Sequence, residues 1–231
     1  ILDKDPGETF GNFKGGYLYL QPKKGVDEFI LGNFQWSAGQ GLTLWSGAAL
    51  RAAPDPRNSV RFARGIRPYG GASEQRYLRG VAVSKNLGTK WNTSLAYNQR
   101  WVDNPNPLSN SGIYKTESAL AKRRLYSWEF IGMEVRASLQ KWILGGVYYT
   151  SRVIEDSTKS MITAENRMGI HYLHQHKSMT IAGEITHSPQ GWATVHGLTL
   201  VTGGPIDLGL NYRFFTPQFQ PSINAPIARQ G

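Results

Sequence analysis

The segment Trp91–Trp101 reads WNTSLAYNQRW, and an extended chain splits it into two unlike faces. Trp91, Thr93, Leu95, Tyr97 and Trp101 fall on one, and Asn92, Ser94, Ala96, Asn98 and Arg100 on the other. A period of two sustained this long dictates a β-strand, because successive strand side chains point to opposite faces. Ile131–Leu139 repeats the pattern: Ile131, Met133, Val135, Ala137 and Leu139 oppose Gly132, Glu134, Arg136 and Ser138. In Ile206–Phe214, Ile206, Leu208, Leu210, Tyr212 and Phe214 oppose Asp207, Gly209, Asn211 and Arg213.

Seven more segments read as strands: 13–21, 29–37, 76–85, 141–153, 168–177, 179–187 and 192–202. That makes about ten strands, many of them roughly nine to eleven residues long, the length of a tilted membrane strand. Soluble strands are more often about five or six residues. The short connections HKSM, SPQG and TGGP predict consecutive antiparallel hairpins. Two long connections, 47–75 and 103–124, are rich in Pro, Gly, Asn or Ser. Aromatics cluster near strand ends, at Trp91, Trp101, Trp142, Trp192, Tyr212 and Phe214, where membrane–water interfaces place them. The predicted fold is an all-β, antiparallel up-and-down transmembrane barrel, one domain over residues 1–231 or part of one.

Composition agrees with this and narrows the chemistry. Mean hydropathy is −0.40, and no apolar run approaches the roughly 18 residues that a membrane helix needs. A barrel tolerates such an average because its lumen-facing residues are polar. The chain has no cysteine, which removes disulfides and thiolate metal sites. Its formal net charge of +10 suits anionic partners, such as lipopolysaccharide, phospholipid headgroups or nucleic acid.

The run Leu31–Gly47, LGNFQWSAGQGLTLWSG, raises the question of a phosphate cradle. A phosphate loop needs a helix behind its glycines and a Lys-Ser/Thr ending, or the G-x-G-x-x-G spacing. None of these is present, so Gly39 and Gly41 read as structural residues in a bent strand. His174 and His176 share a strand face but lack a third ligand, so no metal and no cofactor is expected. No G-x-S-x-G elbow occurs either. The stretch 51–79 holds seven arginines against Asp55 and Glu74. Its arginines are expected to fold against lumenal acids such as Glu134, Glu184 and Asp207.

Three blocks in order, LGNFQWSAGQGLTLWSG, then RGIRPYGGASEQRYLRGVAVS and SGIYKTESALAKRRL, resemble the barrel region of Bacteroidota helix-hairpin-helix (ComEA-like) domain-containing outer-membrane proteins. The resemblance rests on Gly39, Gln40, Gly41, Leu42 and Trp45, on Arg67, Pro68 and Tyr69 with Glu74, and on Arg79–Gly80. It implies outer-membrane localisation, with membrane lipid, lipopolysaccharide and other envelope proteins as partners. No helix-hairpin-helix repeat is present, so DNA binding by that module does not carry over. The tail after Phe215 is loop-like, which makes the chain part of a longer barrel on this reading.

The function expected from these features is a non-enzymatic channel, conduit or scaffold. Arg61, Arg64, Arg67, Glu74, Arg76 and Arg79 would form a constriction, and Arg100, Glu134, Arg136, Asp207 and Arg213 the lumen wall. Two alternatives differ in class. One is a DNA-uptake component guiding nucleic acid along the basic loop. The other is a lipid-modifying or hydrolytic enzyme built on barrel strands.

Overall fold

The computed structural model describes residues 2–3, 13–47, 60–71, 76–106 and 123–219. Among them all regular structure is β. β1 (Leu2–Asp3) and β2 (Phe13–Lys14) pair only with each other. The other eleven strands form one antiparallel sheet: β3 (Tyr17–Leu20), β4 (Glu28–Ser37), β5 (Gly65–Pro68), β6 (Leu78–Leu87), β7 (Trp91–Val102), β8 (Tyr126–Leu139), β9 (Trp142–Glu155), β10 (Met161–His176), β11 (Met179–Ser188), β12 (Gly191–Val201) and β13 (Asp207–Phe215).

Leaving β5 aside, sheet order follows chain order from β3 to β13, so the sheet is a meander of hairpins. Period-two patterning and short turns leave little other choice. Among the described residues β3 and β13 stand at the two ends of the sheet, and no pairing joins them.

Two predicted elements change. The segment 13–21 breaks into β2 and β3 around Gly15–Gly16. Gly16 O accepts the Asn33 N–H at 2.8 Å, and a Cβ on Gly32 would lie 2.4 Å from that oxygen. The long connection 47–75 contains β5, a strand too short to show a period. Asn33 accepts the Tyr69 N–H through its own carbonyl at 2.9 Å. The N–H and C=O of one strand residue point to the same side, so β3 and β5 lie end to end along one edge of β4. Within the second long connection, residues 107–122 lie outside the described set.

Burial along the strands inverts the usual soluble pattern. In β7 the buried residues are Ser94, Ala96, Asn98, Arg100 and Val102, while Trp91, Leu95, Tyr97 and Trp101 are exposed. The same face of the sheet exposes Ile131 and Met133 on β8, Leu144 and Tyr148 on β9, Met168 and Ile170 on β10, and Ile185 on β11. Ile170 is 65% exposed and pairs with the exposed Ile185 on the next strand.

The opposite face is filled. Trp36, Phe34, Trp128, Phe130, Tyr149 and Leu78 anchor an apolar cluster contributed by β4–β9 and by Ala38 and Leu44 of the segment that follows β4. Trp36 and Phe130 meet edge to face at 6.2 Å. Buried polar groups among them are bonded: Trp128 Nε1 donates to Ser151 Oγ at 2.8 Å, Asn98 Nδ2 to Trp128 O at 3.2 Å, and Ser84 meets Ser94 at 3.0 Å. Interior groups without water need such partners.

Candidate functional site: a buried carboxylate in a glycine nest

The glycine-rich run does not continue as a bent strand. β4 ends at Ser37, and the chain folds inward as a tight hairpin. Ala38 N–H donates to Leu44 O at 3.0 Å, and Ser46 N–H to Trp36 O at 2.9 Å. Gly39 (φ +53°) and Gly41 (φ +86°) form the tip with left-handed backbone that glycine adopts at little cost. Amides at such a tip point the same way, leaving donors with no ladder partner.

Glu184 on β11 supplies the acceptor. Its Oε2 takes the N–H of Gln40 at 2.7 Å and of Leu42 at 3.0 Å, and its Oε1 takes that of Thr43 at 2.8 Å. The carboxylate is fully buried. The glycines do make an anion cradle, and its anion is a side chain of the same protein. No helix is needed, because successive amides in a left-handed turn concentrate the partial positive charge themselves. Room for the contact depends on Gly39, where a Cβ would lie 2.7 Å from Glu184 Oε2 and 2.8 Å from His171 Cβ.

The hairpin therefore crosses the interior from β4 to the far end of the sheet. Leu42 packs with Ala193 and Val195 of β12 and with Phe219. Gln40 also clamps the returning chain, donating from Nε2 to Arg61 O and accepting the Arg61 N–H at Oε1, each at 2.9 Å. The Arg61 guanidinium lies 5.6 Å from the Trp45 ring centre. Burial lowers its pKa, Arg213 lowers it further, and Glu184 opposes both. We call residues 38–46 the plug.

Beside the plug a second buried acid collects polar partners. Glu134, 1% exposed, accepts Trp36 Nε1 at 3.2 Å through Oε2. Its Oε1 lies 3.2 Å from His171 Nε2 and 3.7 Å from Arg136 Nε. Arg136 Nη2 also donates to Asn92 Oδ1 at 3.0 Å. Gly145 leaves space for His171, since a Cβ there would lie 2.3 Å from His171 Cε1.

The arginines predicted to form a constriction spread apart. Arg64, Arg67 and Arg76 are exposed, and Glu74 lies outside the described residues. Arg64 N–H donates to Ser37 Oγ at 2.8 Å, and Arg76 O accepts from Gln35 Nε2 at 2.8 Å. Arg79 Nε donates to Asn33 Oδ1 at 2.9 Å. Only Arg61 of this group turns into the interior beside Glu184. Glu184 is thus held by backbone amides with Arg61 nearby, and Glu134 by Trp36 and His171 with Arg136 at its side, so neither acid relies on the predicted cluster of loop arginines.

Of the expected wall residues, Arg100 is buried between the rings of Tyr77 (4.5 Å) and Trp128 (5.1 Å). Glu134 and Arg136 also face inward, as described. Asp207 instead caps the last hairpin, accepting the Thr202 N–H at 3.1 Å, and Arg213 is exposed on β13. Pro68 ends β5 opposite Phe34, and Tyr69 stacks on Tyr77 at 5.7 Å. His174 and His176 stack on the outer face at 6.5 Å. Among the described residues, no group of three or more His, Cys, Asp or Glu could hold a metal.

Glu184 and His171 went unread as a pair with the glycines because they lie more than 120 residues downstream of them. Alternation in AGEITHS shows Glu184 only as an inward-facing acid, as expected above, and carries no sign of which backbone it meets.

Fit inside the plug is tight enough to test. A Cβ on Gly169 would lie 1.9 Å from Thr43 Oγ1 and 3.1 Å from Ile185 O. Thr43 is fully buried and β-branched, so it has little freedom to turn away. Gly169→Ala is expected to cost about 1–3 kcal/mol in denaturant unfolding of the refolded chain. Thr43→Ala in the same chain should recover most of that loss, and the double-mutant cycle measures the coupling.

Comparison with family models, curated proteins and solved structures finds no match.

Proposed function

We propose that this chain is the wall of an outer-membrane β-barrel whose interior is occupied by its own plug, serving as a scaffold or gated conduit without chemistry of its own. The observation that carries the reading is the burial pattern: large apolar side chains cover the outward face of adjacent long strands, and the face behind them buries polar and charged groups alongside its apolar cluster. Water disfavours so wide an apolar surface, whereas lipid accepts it.

The dimensions suit a bilayer. Trp91 and Trp101 lie at the two ends of the β7 outer face, ten residues apart. At about 3.3 Å per residue and a tilt of roughly 40°, that is about 25 Å along the membrane normal, the height of the apolar band of such barrels. Trp142 of β9 sits at the same end as Trp91, while Trp192 and Phe214, 4.8 Å apart, sit at the end of Trp101. The meander from β3 to β13 has ten strands, and that even number leaves its two edges antiparallel, as closure requires. The packed interior favours a plugged wall over a permanently open channel.

Membrane fractionation of cells expressing the chain tests the proposal. The protein should stay in the membrane pellet through an alkaline wash, and once extracted in detergent should migrate faster on a gel unheated than boiled. A monomer that remains dispersed in aqueous buffer without detergent would overturn it.

A further inference from the structure

The hairpins at one end of the sheet share a feature that the fold does not require. The β6–β7 turn ends Lys90-Trp91, and the β8–β9 turn ends Lys141-Trp142. Lys177 occupies the β10–β11 turn, and Lys23 and Lys24 occupy the β3–β4 connection. All five lysines are exposed, and four of the five hairpins at this end carry at least one. The β12–β13 turn is the exception.

The acids of this rim are engaged by the fold. Asp27 accepts the Asn86 N–H at 2.6 Å, Asp207 accepts the Thr202 N–H at 3.1 Å, and Glu28 accepts the Tyr19 hydroxyl at 2.9 Å. Five ammonium groups outnumber these three carboxylates, so the rim carries a net positive charge. A tryptophan follows two of the lysines directly and faces outward: Trp91 is 51% and Trp142 41% exposed.

Around Lys141 the arrangement is built in more detail. The Trp142 ring packs against His174, tilted by 37° with centres 4.3 Å apart, and Tyr172 lies 6.2 Å away on the same face. Lys141 Nζ is within hydrogen-bond reach of His176 Nδ1 on the neighbouring strand. The ammonium is thus tethered at the upper edge of an aromatic surface. An amphipathic ring at headgroup depth with a cation just beyond it is the arrangement that meets a lipid phosphate, because the ring takes the acyl–glycerol boundary and the long lysine stem reaches the charge.

We infer that the short-hairpin rim, with Lys90, Trp91, Lys141, Trp142 and Lys177 at its centre, binds the headgroups of anionic phospholipids in the leaflet that it faces. The inference rests on the membrane-spanning reading and adds the lipid class to it. Each lysine that reaches a charged leaflet contributes about a fivefold preference.

The test reconstitutes the full chain into phosphatidylcholine vesicles in which either phosphatidylglycerol or a matched fraction of the phosphatidylcholine carries brominated acyl chains. Bromine quenches tryptophan fluorescence on contact, so the ratio of quenching reports relative lipid occupancy around the outer face, and its change on substituting the rim lysines isolates the rim's share. Brominated phosphatidylglycerol should quench at least about threefold more effectively at low salt, and added salt should reduce the advantage. In Lys90→Gln/Lys141→Gln/Lys177→Gln the ratio should fall close to one. Exposed lysines tolerate glutamine, and an unchanged far-ultraviolet circular dichroism spectrum checks that this variant folds.

Equal quenching by both lipids in the unaltered chain, or an advantage that survives the triple substitution, would overturn the inference. Suppression of the advantage by millimolar inorganic phosphate beyond that caused by chloride at the same ionic strength would point to a site for the free anion and would also count against a leaflet. A chain that enters neither kind of vesicle would instead refute the membrane reading itself, so the two failures are distinct.

Discussion

Replacing Glu184 with Ala should be the most damaging single change in the described interior. It removes the acceptor of three buried backbone donors at Gln40, Leu42 and Thr43. Each unsatisfied amide costs about 1–3 kcal/mol, so the expected loss is about 3–6 kcal/mol once water has partly replaced the carboxylate. Glu184→Gln should fall between the two chains. Its amide keeps one acceptor oxygen but turns an NH2 group towards amides that also donate.

A local readout separates release of the plug from general loss of stability. Gln40 holds the backbone of Arg61 at two points, and the nest holds Gln40. Trypsin cleavage after Arg61 should therefore accelerate at least about tenfold in Glu184→Ala under conditions where the sheet remains folded. Asp156→Ala serves as the comparison, since it breaks only the exposed pair with Lys159 in the β9–β10 turn and should cost no more than about 1 kcal/mol. Cleavage equally slow in all three chains would show that the nest does not hold the plug.

The second large effect distinguishes lipid from water at the outer face. Ile170 is exposed in the middle of the apolar surface, and Leu95 is exposed three strands away. In water, Ile170→Arg or Leu95→Arg would change stability by no more than about 0.5 kcal/mol, the usual range for exposed positions. In a bilayer each should cost about 2–4 kcal/mol, because a guanidinium near the midplane leaves its hydration behind. Guanidinium unfolding from vesicles measures both. Unchanged stability in both variants would remove the lipid-facing role of this surface.

The strands were legible because their signal is local. Period two and the turn dipeptides placed β4, β7, β11, β12 and β13 to within a residue or two, and Gly132, Glu134 and Arg136 were assigned to one face correctly. Long strands such as β8 and β10 begin before the alternation becomes clean, and β5 is too short to alternate. The plug was misread because its meaning lies in a contact across the sheet. Gly39 and Gly41 show only that the backbone is free to turn. What the turn accomplishes depends on Glu184 arriving from β11, and no local pattern encodes that meeting. The arginines misled for a related reason, since charge alone does not reveal that backbone amides already hold Glu184 and that Trp36 and His171 hold Glu134.

The nest also orders events in time. Its donors and its acceptor are separated by more than 140 residues, so the hairpin tip of residues 38–46 has no anion to close on until β11 is in place. Through the earlier stages of folding the tip amides must stay hydrated, and the interior over β8–β10 stays accessible to water. Loop closure over such a distance is slow relative to formation of each hairpin. Sealing of the interior is therefore a late step, conditional on most of the sheet having assembled in register.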